Sequence, residues 1–217
     1  MKTCIILPAY NEAQRIGKVI SELSKAKRDI IVVDDGSEDQ TTSVAKKQKV
    51  TVIRHEVNLG KGAALTTGIY YAMKKGYQAV VFADADGQHA VEDVGRIVEE
   101  VDKYKFIIGQ RETSGEMPFL RKIGNSVASV LFKILFRTDI PDPLSGLRAF
   151  HMDIYPIISW ESRGYEVEVE MVVNAIKNNI PITNIPIKTV YLDKYKGITF
   201  LSAYKILIYM LKWKLNS

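Results

Sequence analysis

Asp84, Asp86 and Gln88 follow the apolar run Ala79–Ala83, and His89 closes the group. A short apolar run reads as a buried strand, and two carboxylates one residue apart at its end need something positive to face. In an extended segment, residues i, i+2 and i+4 point the same way, so the spacing predicts that Asp84, Asp86 and Gln88 present oxygens to one point. Two carboxylates so close repel in a partly buried site unless a cation or hydrogen-bond donors compensate. Such oxygens suit a hard divalent ion, Mg2+ or Mn2+, which takes one or two protein carboxylates and completes its shell with substrate phosphates. The metal set read here is therefore Asp84, Asp86 and Gln88, and the implied ligand is phosphorylated. His89 is read as a hydrogen-bonding or packing residue in preference to a ligand.

These residues need a scaffold. Apolar, β-rich runs recur at Cys4–Leu7, Ile30–Val33, Val50–Ile53, Ala79–Ala83 and Phe106–Ile108, with helix-like spacing in most of the gaps. Alternation of this kind predicts a parallel sheet covered by helices, and near-continuous apolar strands mean that both faces are covered. Ile16, Val19, Ile20 and Leu23 share one face of a first helix, and a later helix spans Ala63–Met73. Beyond Pro118 the pattern predicts a long helix (Phe119–Phe136), a Pro-rich loop (Asp139–Ser145), a helical stretch over Glu166–Lys177, an extended segment (Ile180–Val190) and a final helix. Ligands of open parallel sheets bind beyond the carboxyl ends of the strands. Three polar clusters fall there: Pro8-Ala9-Tyr10-Asn11-Glu12, Asp34-Asp35-Gly36-Ser37 and Asp84-Ala85-Asp86-Gly87-Gln88-His89. Each alone is also what a helix cap would leave.

Bulk composition sets limits. With 217 residues, 47% of them hydrophobic, the chain can bury one sizeable core. One cysteine, Cys4, excludes an internal disulfide framework and reads as a core residue in a reducing compartment. No uninterrupted apolar run exceeds Ile206–Leu211, far short of the roughly 20 residues a bilayer span needs. The net charge is +5, and from Lys188 onward six lysines face one acid, Asp193. Lysines punctuating an apolar segment suit an anionic membrane surface; nucleic acid would want arginines and aromatics interleaved along a groove.

Taken in order, "PAYNE", "VDDGS", "NLGKGAA", "DADGQH" and "DPLSGLR" resemble a family 2 glycosyltransferase of the GT-A fold, most of all the dolichol-phosphate mannose synthase branch and its polyprenyl-phosphate relatives. The resemblance covers roughly residues 3 to 150. It implies a nucleotide-diphosphate sugar as donor, with Pro8, Tyr10, Glu12 and Asp35 lining the base and ribose pocket and Asp34 beside them. By the same resemblance Asp84 and Ala85 lie near the ribose or metal, Asp86 and Gln88 ligate the ion on the diphosphate, and Lys61 approaches the nucleotide. A tight turn with a solvated lysine is the other reading of Gly60-Lys61-Gly62.

A hydroxyl acceptor needs a general base, and the later Glu-Asp pair that supplies it in many relatives is not in the expected region. A phosphomonoester, whose second pKa is about 6, is already anionic near neutral pH and needs cations instead. Arg111 ends one strand, while Arg121 and Asn125 sit one turn apart on the following helix; Arg148 is a further candidate. The resemblance places Arg111 and Arg121 on a lipid phosphate, with Asn125 or Ser126 nearby and Ser145-Gly146 shaping the loop. Glu168 reads as an arginine-orienting residue or a base for a hydroxyl acceptor; a solvated or salt-bridged face is the plainer reading of Glu166, Glu168 and Glu170. The expectation is a catalytic domain over residues 1–197 and an amphipathic helix over 198–217, which needs a membrane interface, a core or a partner, a second copy included. Together these give an inverting, metal-dependent hexosyltransferase acting on polyprenyl phosphate at the cytoplasmic face of a membrane. Transfer to a saccharide hydroxyl, or a silent nucleotide-sugar-binding scaffold, are the alternatives.

Overall fold

The computed structural model describes residues 1–112, 129–188, 208–210 and 212–214. Strands β1 (Thr3–Ala9), β2 (Asp29–Asp34), β3 (Thr51–Arg54), β4 (Ala79–Phe82), β5 (Phe106–Arg111), β6 (Arg148–His151) and β7 (Thr183–Ile187) form one seven-stranded sheet in the order β3-β2-β1-β4-β6-β5-β7. Helices α1 (Ile16–Leu23), α2 (Thr41–Lys47), α3 (Lys61–Lys74), α4 (Val91–Glu100), α5 (Tyr155–Ile158) and α6 (Val167–Lys177) connect them. Every strand pairing is parallel except those of β6, which runs antiparallel to β4 and to β5.

The alternation of side chains along a strand divides the core into two layers. Ile5, Leu7, Val32, Val81 and Ile107 pack on one face with Ile16, Ile20, Val94 and Ile97 of α1 and α4. Cys4, Ile6, Ile31, Val80, Phe106 and Phe150 pack on the other with Leu65 and Ile69 of α3 and Val169 and Val172 of α6. Each such fully buried aliphatic side chain contributes about 1.5–3 kcal/mol. α3 approaches the sheet closely at Gly68, where a Cβ would lie 2.6 Å from Cγ2 of Ile6. The helix ends at Gly76, whose φ of 70° is left-handed. There Tyr77 N donates to Ala72 O (3.1 Å) and Gly76 N to Met73 O (3.0 Å), which closes the orphan carbonyls of the last turn.

The five strand runs read from sequence are β1 to β5. α3 begins at Lys61, ahead of the expected Ala63, so Lys61 and Gly62 belong to its first turn. Of the long helix expected over 119–136, residues 129–136 are helical and the remainder lies outside the described residues. β6 was not expected. It enters the sheet from the end where β4 and β5 finish, because Arg148 pairs with Phe82 and with Ile108. Near the carboxyl terminus, 208–210 and 212–214 are helical; Met210 is buried and Trp213 packs against the same core layer, while Ile208 and Tyr209 are exposed. Most of the expected amphipathic helix lies outside the described residues. No helix among them is long and apolar enough to cross a membrane.

Candidate active site

The carboxyl ends of β1, β2, β4 and β5 and the entry to β6 meet at one rim of the sheet. β4 ends at Phe82 and the chain turns at Ala85-Asp86, with Gly87 left-handed at φ 78°. The extended geometry expected for Asp84, Asp86 and Gln88 is therefore replaced by a turn, in which Gln88 N donates to Asp86 Oδ1 (3.0 Å). Lys61 donates to Asp84 Oδ1 (2.6 Å) and lies 2.7 Å from Glu168 Oε1, so this lysine bridges two carboxylates and is not solvated. Its ammonium also stands 5.7 Å from the centre of the Tyr165 ring. His89 Nε2 lies 3.3 Å from Asp84 Oδ2, a hydrogen-bonding position like the one expected. Gly146 presses on the same carboxylate: a Cβ there would overlap Asp84 Oδ2.

Charge is unevenly compensated across this group. Burial alone would raise the Asp84 carboxyl, but the Lys61 ammonium and then His89 outweigh it and hold it below its ordinary value. Burial also works against the Lys61 charge, and Asp84 and Glu168 outweigh that and raise its pKa. Asp86 goes the other way: burial, then the negative charge of Asp84, push its carboxyl up. Among the described residues no three His, Cys, Asp or Glu side chains converge as a metal-binding group. With Asp84 engaged by Lys61 and His89, Asp86 is the carboxylate of this tip whose charge is least compensated, and the one that could take a hard divalent ion, which needs few protein ligands.

Where the donor residues were expected, the loops after β1 and β2 are laced together. Asn11 N donates to Ser37 Oγ (2.9 Å), Glu38 N to Asn11 Oδ1 (2.9 Å) and Glu12 N to Thr41 Oγ1 (2.8 Å). Asp34 is fully buried and accepts from Ser37 N (3.0 Å) and from Thr42 Oγ1, bonds that tie the loop after β2 to the first turn of α2. Asp35 accepts from Leu59 N (2.9 Å) and Gly60 N (2.8 Å) and pairs with His55 Nδ1 at 2.7 Å. Glu12 is buried and accepts from Arg15 (3.2 Å). Pro8 pairs with Val33 in the sheet, and Tyr10 is exposed. An open cleft of about 570 Å³ lies beside these loops, lined by Tyr10, Ser37, Arg54, Glu56 and Asn58 among others. Of the expected donor residues, Tyr10 is the one that lines it.

Of the residues expected at the acceptor, Arg111, the last residue of β5, is gripped by Asp142: Nε to Oδ2 at 2.6 Å and Nη2 to Oδ1 at 2.7 Å. Arg148 does not sit where an acceptor phosphate would meet it. It is 1% exposed, and donates from Nε to Ser145 O (2.8 Å), from Nη2 to Pro143 O (2.6 Å) and from Nη1 to Glu168 O. Burial is the main reason its pKa falls to about 10. These bonds make it the internal fastening of loop 142–146. Arg121, Asn125 and Ser126 lie outside the described residues.

Of the solvated or salt-bridged face expected for Glu166, Glu168 and Glu170, the solvation is absent, since all three are buried, and the salt bridge is present at Glu168, to Lys61. Glu170 accepts from Glu161 N (3.0 Å) and Ser162 N (2.9 Å), fixing the loop that abuts Gly60 and Gly62. Glu168 Oε2 is buried with no hydrogen-bond partner among the described residues. Asp142, the first residue of "DPLSGLR", has a part in the site that the sequence does not assign to it. Its signal was a carboxylate between two prolines in a loop returning to the rim.

The family model for glycosyl transferase family 2 matches residues 4–156. The chain is 33% identical to the UDP-N-acetylglucosamine--dolichyl-phosphate N-acetylglucosaminyltransferase of Methanococcus voltae, over 98% of this chain and 96% of the relative. It is 28% identical to the polyprenol monophosphomannose synthase of Mycolicibacterium smegmatis, over 94% and 83%. Among solved structures, glucosyl-3-phosphoglycerate synthase from Mycobacterium tuberculosis, in complex with Mn2+, UDP and glucosyl-3-phosphoglycerate, superposes with a TM-score of 0.80 at 19% identity, covering 98% of this chain and 79% of that one. A further structure of that enzyme holds Mg2+ and UDP. The shared architecture is the GT-A fold that the sequence resemblance implied. With a family match that runs from β1 into α5 and takes in every strand around the β4 tip, the chain belongs to glycosyl transferase family 2.

Proposed function

We propose that this protein transfers one hexose, with inversion, from a nucleotide-diphosphate sugar to a polyprenyl phosphate at the cytoplasmic face of a membrane. The observation that carries the reading is the divided pair at the β4 tip: Asp84 neutralised by Lys61, and Asp86 beside it short of positive charge. Asp86 and Gln88 would hold a divalent ion, Mg2+ or Mn2+, whose contribution when bound is to offset charge on the departing diphosphate. The loops after β1 and β2 receive the nucleoside. Glu168, with one buried oxygen lacking a partner among the described residues, supplies an acceptor for a hydroxyl of the transferred sugar. Arg111 meets the acceptor phosphate, which needs no general base because it is already anionic. The names of the Methanococcus voltae and Mycolicibacterium smegmatis relatives, both acting with polyprenol-type lipids, support this choice of acceptor. The apolar, lysine-bearing carboxyl-terminal segment 198–217 is proposed as the element that rests on the membrane, beside a catalytic domain over 1–197.

The test is transfer of radiolabel from UDP- and GDP-sugars to polyprenyl phosphate with Mn2+ present, read as counts extracted into butanol. Counts should move to the organic phase with one donor and vanish in Asp86→Ala. Label found only on a saccharide or as free sugar, or unchanged transfer in Asp86→Ala, overturns the reading.

A further inference from the structure

Asp142 is a carboxylate 3% exposed, and a carboxylate is seldom so buried unless paired. Both its oxygens go to Arg111, at 2.6 Å and 2.7 Å, and Oδ2 also accepts from Arg111 N at 3.2 Å. A bidentate grip fixes the plane of a guanidinium as well as its position. The backbone of Arg111 is set independently by its pairing with Ile187 of β7. The carboxylate itself cannot drift. It lies between Pro141 and Pro143, whose rings fix their own φ, and the residue before a proline is restricted as well. Arg148, buried in β6, holds the carbonyls of Pro143 and Ser145 from beneath. At its other end the loop rests on the catalytic rim, Gly146 lying against the Asp84 carboxylate. The Arg111 side chain is 19% exposed and that of Asp142 5%, so the pair is buried on the loop side and reaches solvent from the arginine side.

We infer that Asp142 is the positioning residue that aims the Arg111 guanidinium at the acceptor phosphate, and that loop 142–146 sets its distance from the donor side of the site. This rests on the reading that Arg111 meets that phosphate. Asp142 touches no substrate; it acts through the arginine. A pair serving stability alone would show in melting temperature and would leave the two substrates equally affected.

The experiment is a double-mutant cycle on kcat/KM for polyprenyl phosphate, using wild type, Asp142→Asn, Arg111→Lys and the double variant, with calorimetric Kd for UDP and GDP in Mn2+ alongside. Asp142→Asn should lower kcat/KM on the order of a hundredfold, mostly through acceptor KM, as expected for a misplaced binding group. Nucleotide Kd should be unchanged, and the double variant should be no worse than Arg111→Lys alone. Arg111→Lys impaired with Asp142→Asn normal, or effects that multiply, overturns this inference and leaves the functional reading standing. Arg111→Lys indistinguishable from wild type overturns both. Should Asp142→Asn fail to fold, Asp142→Glu keeps the charge and displaces the guanidinium by a methylene; acceptor KM must then rise, and an unchanged KM overturns the inference.

Discussion

Replacing Lys61 by methionine keeps the aliphatic stem and removes the ammonium that two carboxylates share. Asp84 Oδ1 lies 2.6 Å and Glu168 Oε1 2.7 Å from that nitrogen. Side-chain exposure is 16% for Lys61, 7% for Glu168 and 29% for Asp84, so Glu168 carries most of the penalty while water screens part of Asp84. Breaking a buried pair from one side costs about 3–5 kcal/mol, and the partial exposure of Asp84 places this case at the lower limit, about 3 kcal/mol. For a chain of this size that is a fall in melting temperature of about 6–12 °C. The pH dependence has a definite sign. In wild type, Asp84 is held below its unfolded value, so its stabilising contribution is complete above about pH 4 and is lost as acid titrates the folded form. The variant lacks that contribution, so the gap between the two proteins should narrow as pH falls. Calorimetric melts of both proteins from neutral to acid pH measure this, and Mn2+ should restore part of the loss in the variant by supplying charge at the same rim. A variant melting within about 2 °C of wild type at neutral pH, or a gap indifferent to acid, refutes the bridging role.

Gly146→Ala places a Cβ 3.0 Å from Asp84 Cγ and into its Oδ2, so the carboxylate that Lys61 holds must shift; nucleotide affinity in Mn2+ should fall while the fold survives, and calorimetric titration reads it. Arg148→Met leaves the carbonyls of Pro143, Ser145 and Glu168 without their donor, at about 1–3 kcal/mol each, and urea unfolding should show a loss of at least about 3 kcal/mol. Burial, reinforced by the nearby Asp29 charge, pushes the Cys4 thiol up to about 12. Native protein should therefore resist Ellman's reagent near pH 8.5, where a free thiol is about half ionised, and react fully once denatured.

The parallel part of the sheet was legible because β1, β2 and β4 are buried on both faces and so appear as unbroken apolar runs. β6 was not. It is four residues long, begins with arginine, and owes its place to neighbours far away in sequence. Arg148 read as a candidate for the acceptor phosphate for the same reason: nothing local reveals that three carbonyls receive its donors inside the protein. The acids at the strand ends were found from type and position, yet their geometry was not. Asp84 and Asp86 border or occupy a turn where a continued strand was expected, and Asp34 is taken up by bonds to Ser37 and Thr42 inside its own loop. The link between Lys61 and Glu168 joins α3 to α6 and has no periodicity to betray it. Asp142 shows the middle case, since its flanking prolines announce a stiff loop but only the fold reveals which arginine it faces.

The reversed direction of β6 has an evolutionary consequence. The chain leaves the rim after Arg111 and re-enters it at Arg148, on strands that lie side by side with Ile108 opposite Arg148. An excursion whose two feet stand together can be lengthened at small entropic cost. Between those feet the stretch can therefore vary in length while the seven-stranded sheet keeps its order, so long as Phe132, Phe136 and Ile140 hold their places in the core.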